Sequence, residues 1–385
     1  MSRYHRRHSW RFWTCPPTKN NENLSLYIHV PFCAAKCPYC AFASAPERAG
    51  DEEMYLDALE REISARAEDS SAVSTLYVGG GTPSVLSLAS WERLIEIIER
   101  GFSFSGDAEV SVEANPGSLS RGHVALWRAW RVTRVSVGVQ SFDDRRLKFL
   151  GRVHNAAQAS AALALCVDAM FSVSLDLMFG LPGETLRDWM TDLKTALSFG
   201  TNHISVYQLT IEEGTPFARE NPELPEGYAQ YRYAQWRLTR AGLDQYEVAS
   251  FARPGYECRH NLNYWDDGKY IGLGPSACGC MDGTRWMNAQ RLDDYAAMTL
   301  RSLPIVSEER LEGERAARQA AVLALRTKKG IAWETFAERH GEPAANAIRR
   351  NLEHFPGDIV ANGADASRLT PKGFRLGNVI WSEII

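Results

Sequence analysis

Two periodicities alternate along this chain. From Leu24 onward, short runs rich in branched and aromatic residues recur between longer stretches in which apolar residues fall every three or four positions. The short runs predict strands over 26–30, 75–78, 109–113, 134–139, 173–178 and 203–209, and the stretches between them predict helices over 52–67, 88–100, 121–130, 156–170 and 186–199. Apolar strands separated by amphipathic helices imply a parallel sheet wound βα by βα. Six such units read as an α/β fold, an open, partial (β/α)6 version of the eightfold barrel, with a doubly wound sheet as the rival architecture. Beyond Leu303-Pro304, helices are expected over 308–325 and 333–339, and Arg368-Leu369-Thr370-Pro371-Lys372-Gly373 leads into a last segment over 374–382.

The polar residues that break this pattern stand mostly where the strands end, which is where parallel α/β folds assemble their sites. The first strand runs into Cys33-Ala34-Ala35-Lys36-Cys37-Pro38-Tyr39-Cys40. The second ends in Gly79-Gly80-Gly81-Thr82-Pro83, where absent side chains let backbone approach a ligand and expose N–H donors to a carboxylate. Glu113-Ala114-Asn115-Pro116 closes the third, Gln140-Ser141-Phe142 the fourth, and the fifth holds Asp176 ahead of Gly180-Leu181-Pro182-Gly183. Taken singly, a glycine turn is usually a turn and a strand-end glutamate a cap or an ion pair. Taken in this order after the cysteines, they are hard to assign to structure alone.

The C-x3-C-x2-C spacing places three thiolates on one short loop, able to hold three irons of a cubane and leave the fourth iron open. A structural zinc site would want a fourth ligand from a second close pair, and Cys15, Cys166, Cys258, Cys278 and Cys280 supply none. Eight cysteines in 385 residues do not make a disulfide-dense scaffold, and a low-potential cluster needs a reducing compartment.

Charge narrows the function classes. A net charge of −4 and a pI near 6.2 give no footprint for nucleic acid, and no apolar run approaches the ~20 residues of a membrane span. A cytoplasmic protein is expected. A length of 385 residues exceeds the ~250–300 at which a single core stops growing, so a main domain with a smaller appendage is expected. The divisions expected are a tail over 1–23, a barrel over 24–250, a segment over 251–305 and a C-terminal unit over 306–385. The tail is basic and free of acids up to Glu22, with Arg3, Arg6, Arg7, Arg11, Trp10, Phe12 and Trp13. It lacks the Ser and Ala richness of a transit peptide and has no apolar core for secretion, so a disordered extension or an over-called start codon is expected.

On the cysteine spacing, the aromatic between the last two cysteines and the apolar strand before them, the chain resembles the radical S-adenosylmethionine (SAM) superfamily. With the strand-end residues added, it resembles the coproporphyrinogen dehydrogenase-like subgroup over roughly 26–286. The resemblance implies a [4Fe–4S] cluster on Cys33, Cys37 and Cys40, with SAM chelating the open iron. It places Tyr27 near SAM, Gly80, Gly81 and Thr82 at its amino group, and Glu113, Gln140, Arg152 and Asp176 at further SAM contacts. Arg152 can pair with a carboxylate; its alternative is a helix-end cation.

Within the subgroup, three features favour the haem-chaperone branch over coproporphyrinogen III dehydrogenase. Phe42 stands where that enzyme carries a further cysteine, only 26 residues precede Tyr27, and His260-Asn261-Leu262-Asn263-Tyr264-Trp265 matches the branch's HNxxYW motif. The resemblance thus implies haem binding by His260, Asn261, Tyr264 and Trp265 in the 251–305 segment. Imidazole is a good axial ligand, and Tyr264 and Trp265 offer flat apolar surface to a macrocycle. A loop histidine beside two core aromatics is the plainer alternative, with Cys258 as another ligand candidate. No catalytic residue is implied, and the partners implied are haem and haem-accepting proteins at the membrane. Homodimerisation stays open, as does a radical SAM enzyme acting on a porphyrinogen, which would want basic groups near the rim beyond Arg152. The C-terminal helices and the Thr-Pro-Lys-Gly stretch, read as a short wing, resemble the winged-helix-like α+β appendage of this family. Mixed local charge assigns that appendage to covering the barrel or meeting a protein.

Overall fold

Six short sequences with apolar residues at every second position form the heart of the structure. The computed structural model describes residues 24–66 and 72–385, so the tail expected over 1–23 lies outside the described residues. Strands β1 (Leu24–Val30), β2 (Val73–Gly80), β3 (Phe104–Ala114), β4 (Arg134–Gln140), β5 (Ser172–Phe179) and β6 (His203–Gln208) stand side by side in chain order, all parallel. The helices Asp51–Arg66, Leu88–Gly101, Arg121–Ala129, Ala156–Asp168 and Leu186–Ser198 follow successive strands, as the periodicity predicts.

The alternation decides what faces where. Leu26, Ile28, Leu76, Val78, Val110, Val112, Val135, Val137, Val173, Leu175, Ile204 and Val206 are buried in one apolar cluster with helix residues such as Leu59, Trp91, Trp127, Leu163 and Trp189. The intervening positions are polar: Tyr27, Thr75, Tyr77, Glu113, Arg134, Ser136, Ser174, Asp176, His203 and Ser205. Parallel strands covered on both faces are normally apolar throughout. These strands have instead a dry outer face and a polar inner one, and a lumen of about 40 Å³ lies between Tyr77, Glu113, Arg134, Asp176, His203 and their neighbours.

Both edges of the six-stranded core are extended. On the β6 side come the short antiparallel strands β7 (Asp244–Gln245) and β8 (Ser250–Ala252). On the β1 side β9 (Tyr270–Leu273) adds in parallel, followed by antiparallel β10 (Cys278–Met281), β11 (Thr284–Asn288) and β12 (Ile305–Arg310). The carboxylate of Glu62 ties this extension down: 1% exposed, it accepts from Gly274 N (2.9 Å), Asn288 Nδ2 (2.8 Å) and Tyr295 Oη (2.7 Å).

Three expectations for the C-terminal part need correction. Residues 308–310, expected to be helical, belong to β12, because pairing with β11 completes the sheet; the helix begins at Gly313. The division at 305/306 therefore cuts a strand of the main sheet. The second apolar cluster lies beyond it, with helices Gly313–Ala324, Trp333–His340, Glu342–Glu353 and Gly377–Ile384 packed with a small sheet of β13 (Ile331–Ala332), β14 (Val360–Asn362) and β15 (Ala366–Leu369), in the order β13-β15-β14. Thr-Pro-Lys-Gly is not a wing either. Thr370 caps the helix Pro371–Arg375 by accepting from Gly373 N, and proline occupies the first turn, where a missing N–H costs nothing.

Candidate functional site at the strand ends

The cysteine loop leaves β1 and is held from several sides. Phe32 is buried against the Tyr55 ring, Cys33 N donates to Ala45 O (3.1 Å), His29 Nε2 lies 2.7 Å from Ala43 O, and Phe217 N donates to Pro38 O (3.0 Å). The three thiols stay partly exposed and, like every described cysteine, unbridged. Burial raises the Cys40 thiol, and the neighbouring Cys37 and Cys33 add to that rise. Among the described residues no three His, Cys, Asp or Glu side chains converge on a single ion. A cubane asks for something else, since each thiolate binds a different iron.

The glycine run meets this loop through its backbone. Gly81 N donates to Val30 O and Thr82 N to Phe32 O, both at 2.7 Å, while Gly80 N donates to Glu113 Oε2 (3.2 Å). The expectation that these N–H groups stand free for a ligand's carboxylate is therefore overturned: Gly81 N and Thr82 N fasten the cysteine loop to β2, and Gly80 N is taken by the Glu113 carboxylate. Thr82 Oγ1 lies 3.3 Å from Cys33 Sγ. A Cβ on Gly81 would sit 2.4 Å from Phe32 O, and Gly80 has φ +104° with the His29 ring 2.5 Å from where its Cβ would be. Gly81→Ala is expected to push the loop off β2 and cut iron loading severalfold while the far-ultraviolet circular dichroism stays that of the parent; iron and sulfide analysis of the purified variant checks it.

The carboxylates stand further in. Glu113 accepts from Tyr77 Oη (2.8 Å) and Gly80 N; burial pushes it up to about 7. Asp176 accepts from Ser136 Oγ (3.2 Å) and is pushed by burial up to about 6. Arg152 follows the helix Asp144–Phe149, yet its guanidinium does not cap that helix: Nη2 donates to Gly138 O (2.7 Å) and Nη1 points to Cys37 Sγ (3.6 Å). Its Nε is shut from solvent with no acceptor among the described residues, the mark of a place for an anionic group. Gln140 holds φ +69°, which costs a residue with a Cβ about 1 kcal/mol, and strain of this kind collects at binding sites. Tyr27 stacks on Tyr77 with ring centroids 6.3 Å apart and meets His29 Nδ1 at 3.1 Å. Three thiols at the rim, a guanidinium with one N–H still unpaired and two carboxylates below it fit a cluster and a zwitterionic, ribose-bearing cofactor.

The HNLNYW segment lies elsewhere. It forms the helix Arg259–Trp265, whose N-terminus is capped by Glu109 of β3 through Arg259 N and His260 N, each 3.0 Å. This helix closes the opposite mouth of the lumen, with Cys258 and Asn261 in its lining. His260 has no exposed surface: Nδ1 meets Thr75 Oγ1 and Nε2 meets Tyr264 Oη, each at 2.8 Å, and its ring stacks on Tyr77. Burial lowers its pKa to about 3, so the imidazole is neutral. Trp265 and Trp381 share the Arg326 guanidinium, at 5.3 and 4.3 Å. Cys258 is 1% exposed and raised by burial to about 12, an inert thiol. Sequence reasoning missed Thr75, Tyr77, Glu109 and Arg326; the polar beat within β2 and β3 was the signal for the first three.

Residues 27–196 match the radical SAM superfamily. The chain is 37% identical over 357 residues to heme chaperone HemW of Mycobacterium tuberculosis, covering 89% of this chain and 92% of that one. It is 33% identical over 374 residues to heme chaperone HemW of Bacillus subtilis, covering 94% and 99%. The solved structure of Escherichia coli coproporphyrinogen III oxidase (HemN), a radical SAM enzyme, superposes with a TM-score of 0.83 at 24% identity over 96% of this chain and 90% of that chain, a likeness of fold. By its identity to these chaperones over nine-tenths of its length, the chain belongs to the HemW family of radical SAM proteins.

Proposed function

We propose that the protein is a haem chaperone that takes up haem and hands it to haem proteins at the membrane, with a [4Fe–4S] cluster on Cys33, Cys37 and Cys40 and SAM beside it. The observation that carries this reading is the likeness to HemW proteins along almost the whole chain. When bound, the cluster and SAM supply one-electron chemistry or a conformational signal. Tyr27, Gly80, Gly81, Thr82, Glu113, Gln140, Arg152 and Asp176 would hold SAM, with the carboxylates accepting from its ammonium and ribose groups and Arg152 pairing with an anion. His260 would ligate haem iron with Asn261, Tyr264 and Trp265 around the macrocycle.

Haem uptake through His260 requires the helix Arg259–Trp265 to swing out, since both imidazole nitrogens are engaged inside. Uptake is then a selection of an open form. Among the described residues no helix is long and apolar enough to cross a membrane, so delivery would work from the bilayer surface. The test is an anaerobic haem titration of the cluster-loaded protein, followed by assays for 5′-deoxyadenosine and for coproporphyrinogen decarboxylation. Stoichiometric haem binding without decarboxylation is expected. Porphyrinogen-dependent SAM cleavage without haem binding would instead make it an enzyme.

A further inference from the structure

The helix Arg259–Trp265 is gripped at both ends by charge, and the two grips come from different parts of the fold. Glu109 of β3 holds its first amides. Its last turn meets the C-terminal unit. There the half-buried Arg326 guanidinium, just past the end of the helix Gly313–Ala324, lies between the indoles of Trp265 and Trp381, the second of them buried in that unit's core. Further cations of the unit meet Asp266, the residue that ends the helix: Arg339 Nη1 donates to its carbonyl (3.2 Å) and Lys329 Nζ stands 3.9 Å from its carboxylate. A positive side chain at the negative end of a helix or against an indole face is attractive, so Arg326, Lys329 and Arg339 all pull the same way.

This grip has a firm base and a weak object. Lys328 N donates to Tyr246 O (2.8 Å), and Thr327 pairs with Glu247 in a single antiparallel bridge, which fixes the stretch bearing Arg326 and Lys329 to the β7–β8 hairpin. The hydroxyl of the same Tyr246 accepts from Cys258 N (3.2 Å) at the other end of the helix. The helix has seven residues and no side-chain cap from Cys258, whereas an isolated helix needs about 12–15 to hold its shape in water. Its position therefore depends on what holds its ends, and a short element of that kind opens locally before the fold around it does. The exposed Lys329–Asp266 pair contributes little alone. Arg326, packed between two indoles away from bulk water, is the stronger part of the grip.

We propose that the C-terminal unit is the latch of this helix: Arg326, with Lys329 and Arg339 beside it, holds the helix over the lumen and so sets how often His260 is uncovered. The consequence for uptake rests on the haem reading; the latch itself does not. The experiment is hydrogen–deuterium exchange on the full chain without haem, followed by the rate of haem association with the same samples. In Arg326→Gln the amides of residues 260–266 are expected to exchange about tenfold faster, and in the surface double variant Lys329→Glu/Arg339→Glu about threefold faster, with β2 and the helix Glu342–Glu353 exchanging as in the parent. Haem association is expected to quicken by the same factors, because the open fraction multiplies the rate. Exchange like the parent's over 260–266 in both variants, or a rise spread through the whole C-terminal unit in both, would overturn the latch. Faster exchange over 260–266 with haem association at the parent's rate would uphold the latch and overturn His260 as the place of uptake.

Discussion

Replacing Cys33, Cys37 and Cys40 together by serine is expected to take the iron content from about four per chain to near none and to remove the broad cluster absorbance near 400 nm. The loop itself should survive. Its fastenings are backbone bonds from Cys33 N, Ala45 N, Gly81 N and Thr82 N together with the buried Phe32 ring, and none of them uses a thiol. Haem binding is expected to persist in the same variant, because His260 and the cysteines lie at opposite ends of the strands. From Thr75, beside His260, to Gly80, beside the loop, β2 runs five residue steps, about 16 Å at the usual rise. Iron and sulfide analysis with a haem titration on one preparation reads both. Retained iron in the triple variant would remove the cysteines from the site, and concerted loss of haem binding would merge the two sites.

The six parallel strands and the helices between them are legible because each is long enough to repeat its own period several times, and their edges match to within a few residues. The sheet extension is not legible on those terms. β7, β8, β9, β10 and β11 run from two to five residues, and Ile305-Val306-Ser307-Glu308-Glu309-Arg310 carries glutamates that suit a helix as well as an edge strand; only pairing with β11 decides. Thr370-Pro371 carried its own helix-start signal, which the wing reading passed over.

The candidate site divides in the same way. The thiols are legible because their spacing is local, whereas the orphaned Nε of Arg152 and the use of the Gly81 and Thr82 amides arise from contacts with residues far away in the chain. His260-Asn261-Leu262-Asn263-Tyr264-Trp265 read as a haem-binding motif, with a loop histidine beside two core aromatics as the plainer alternative. Its four-residue spacing puts His260 and Tyr264 on one helical face, and Glu109, distant in sequence, turns that face inward. The inner, polar beat of the strands was visible all along as Val135-Ser136-Val137-Gly138-Val139-Gln140 and Ser174-Leu175-Asp176-Leu177; with helices covering the outer face, such alternation signals a lumen.

That inward turn sets the expected behaviour of His260. His260→Ala is expected to weaken haem binding at least about a hundredfold, the scale on which a lone axial ligand matters, and to shift the Soret band. It should also cost about 2–4 kcal/mol of stability through the cavity and the lost partner of Tyr264. Thr75→Val separates the two effects. It removes the Nδ1 partner while leaving the imidazole able to bind iron, and so favours the open helix; haem affinity is expected to rise about fivefold for about 1 kcal/mol lost from the closed form. The pH dependence follows from burial, which lowers the His260 pKa to about 3. A lowered histidine lends stability above its unfolded value of about 6.5 and withdraws it as pH falls toward the folded value. The closed protein therefore carries no proton on this ring between pH 8 and 5, and haem has none to displace. Affinity in a Soret titration should be flat across that range, whereas an exposed histidine ligand would lose it steadily below about 6.5. A His260→Ala protein with the parent's affinity and spectrum would leave this histidine as the bolt of the lumen's lower mouth and send the search for the iron ligand elsewhere.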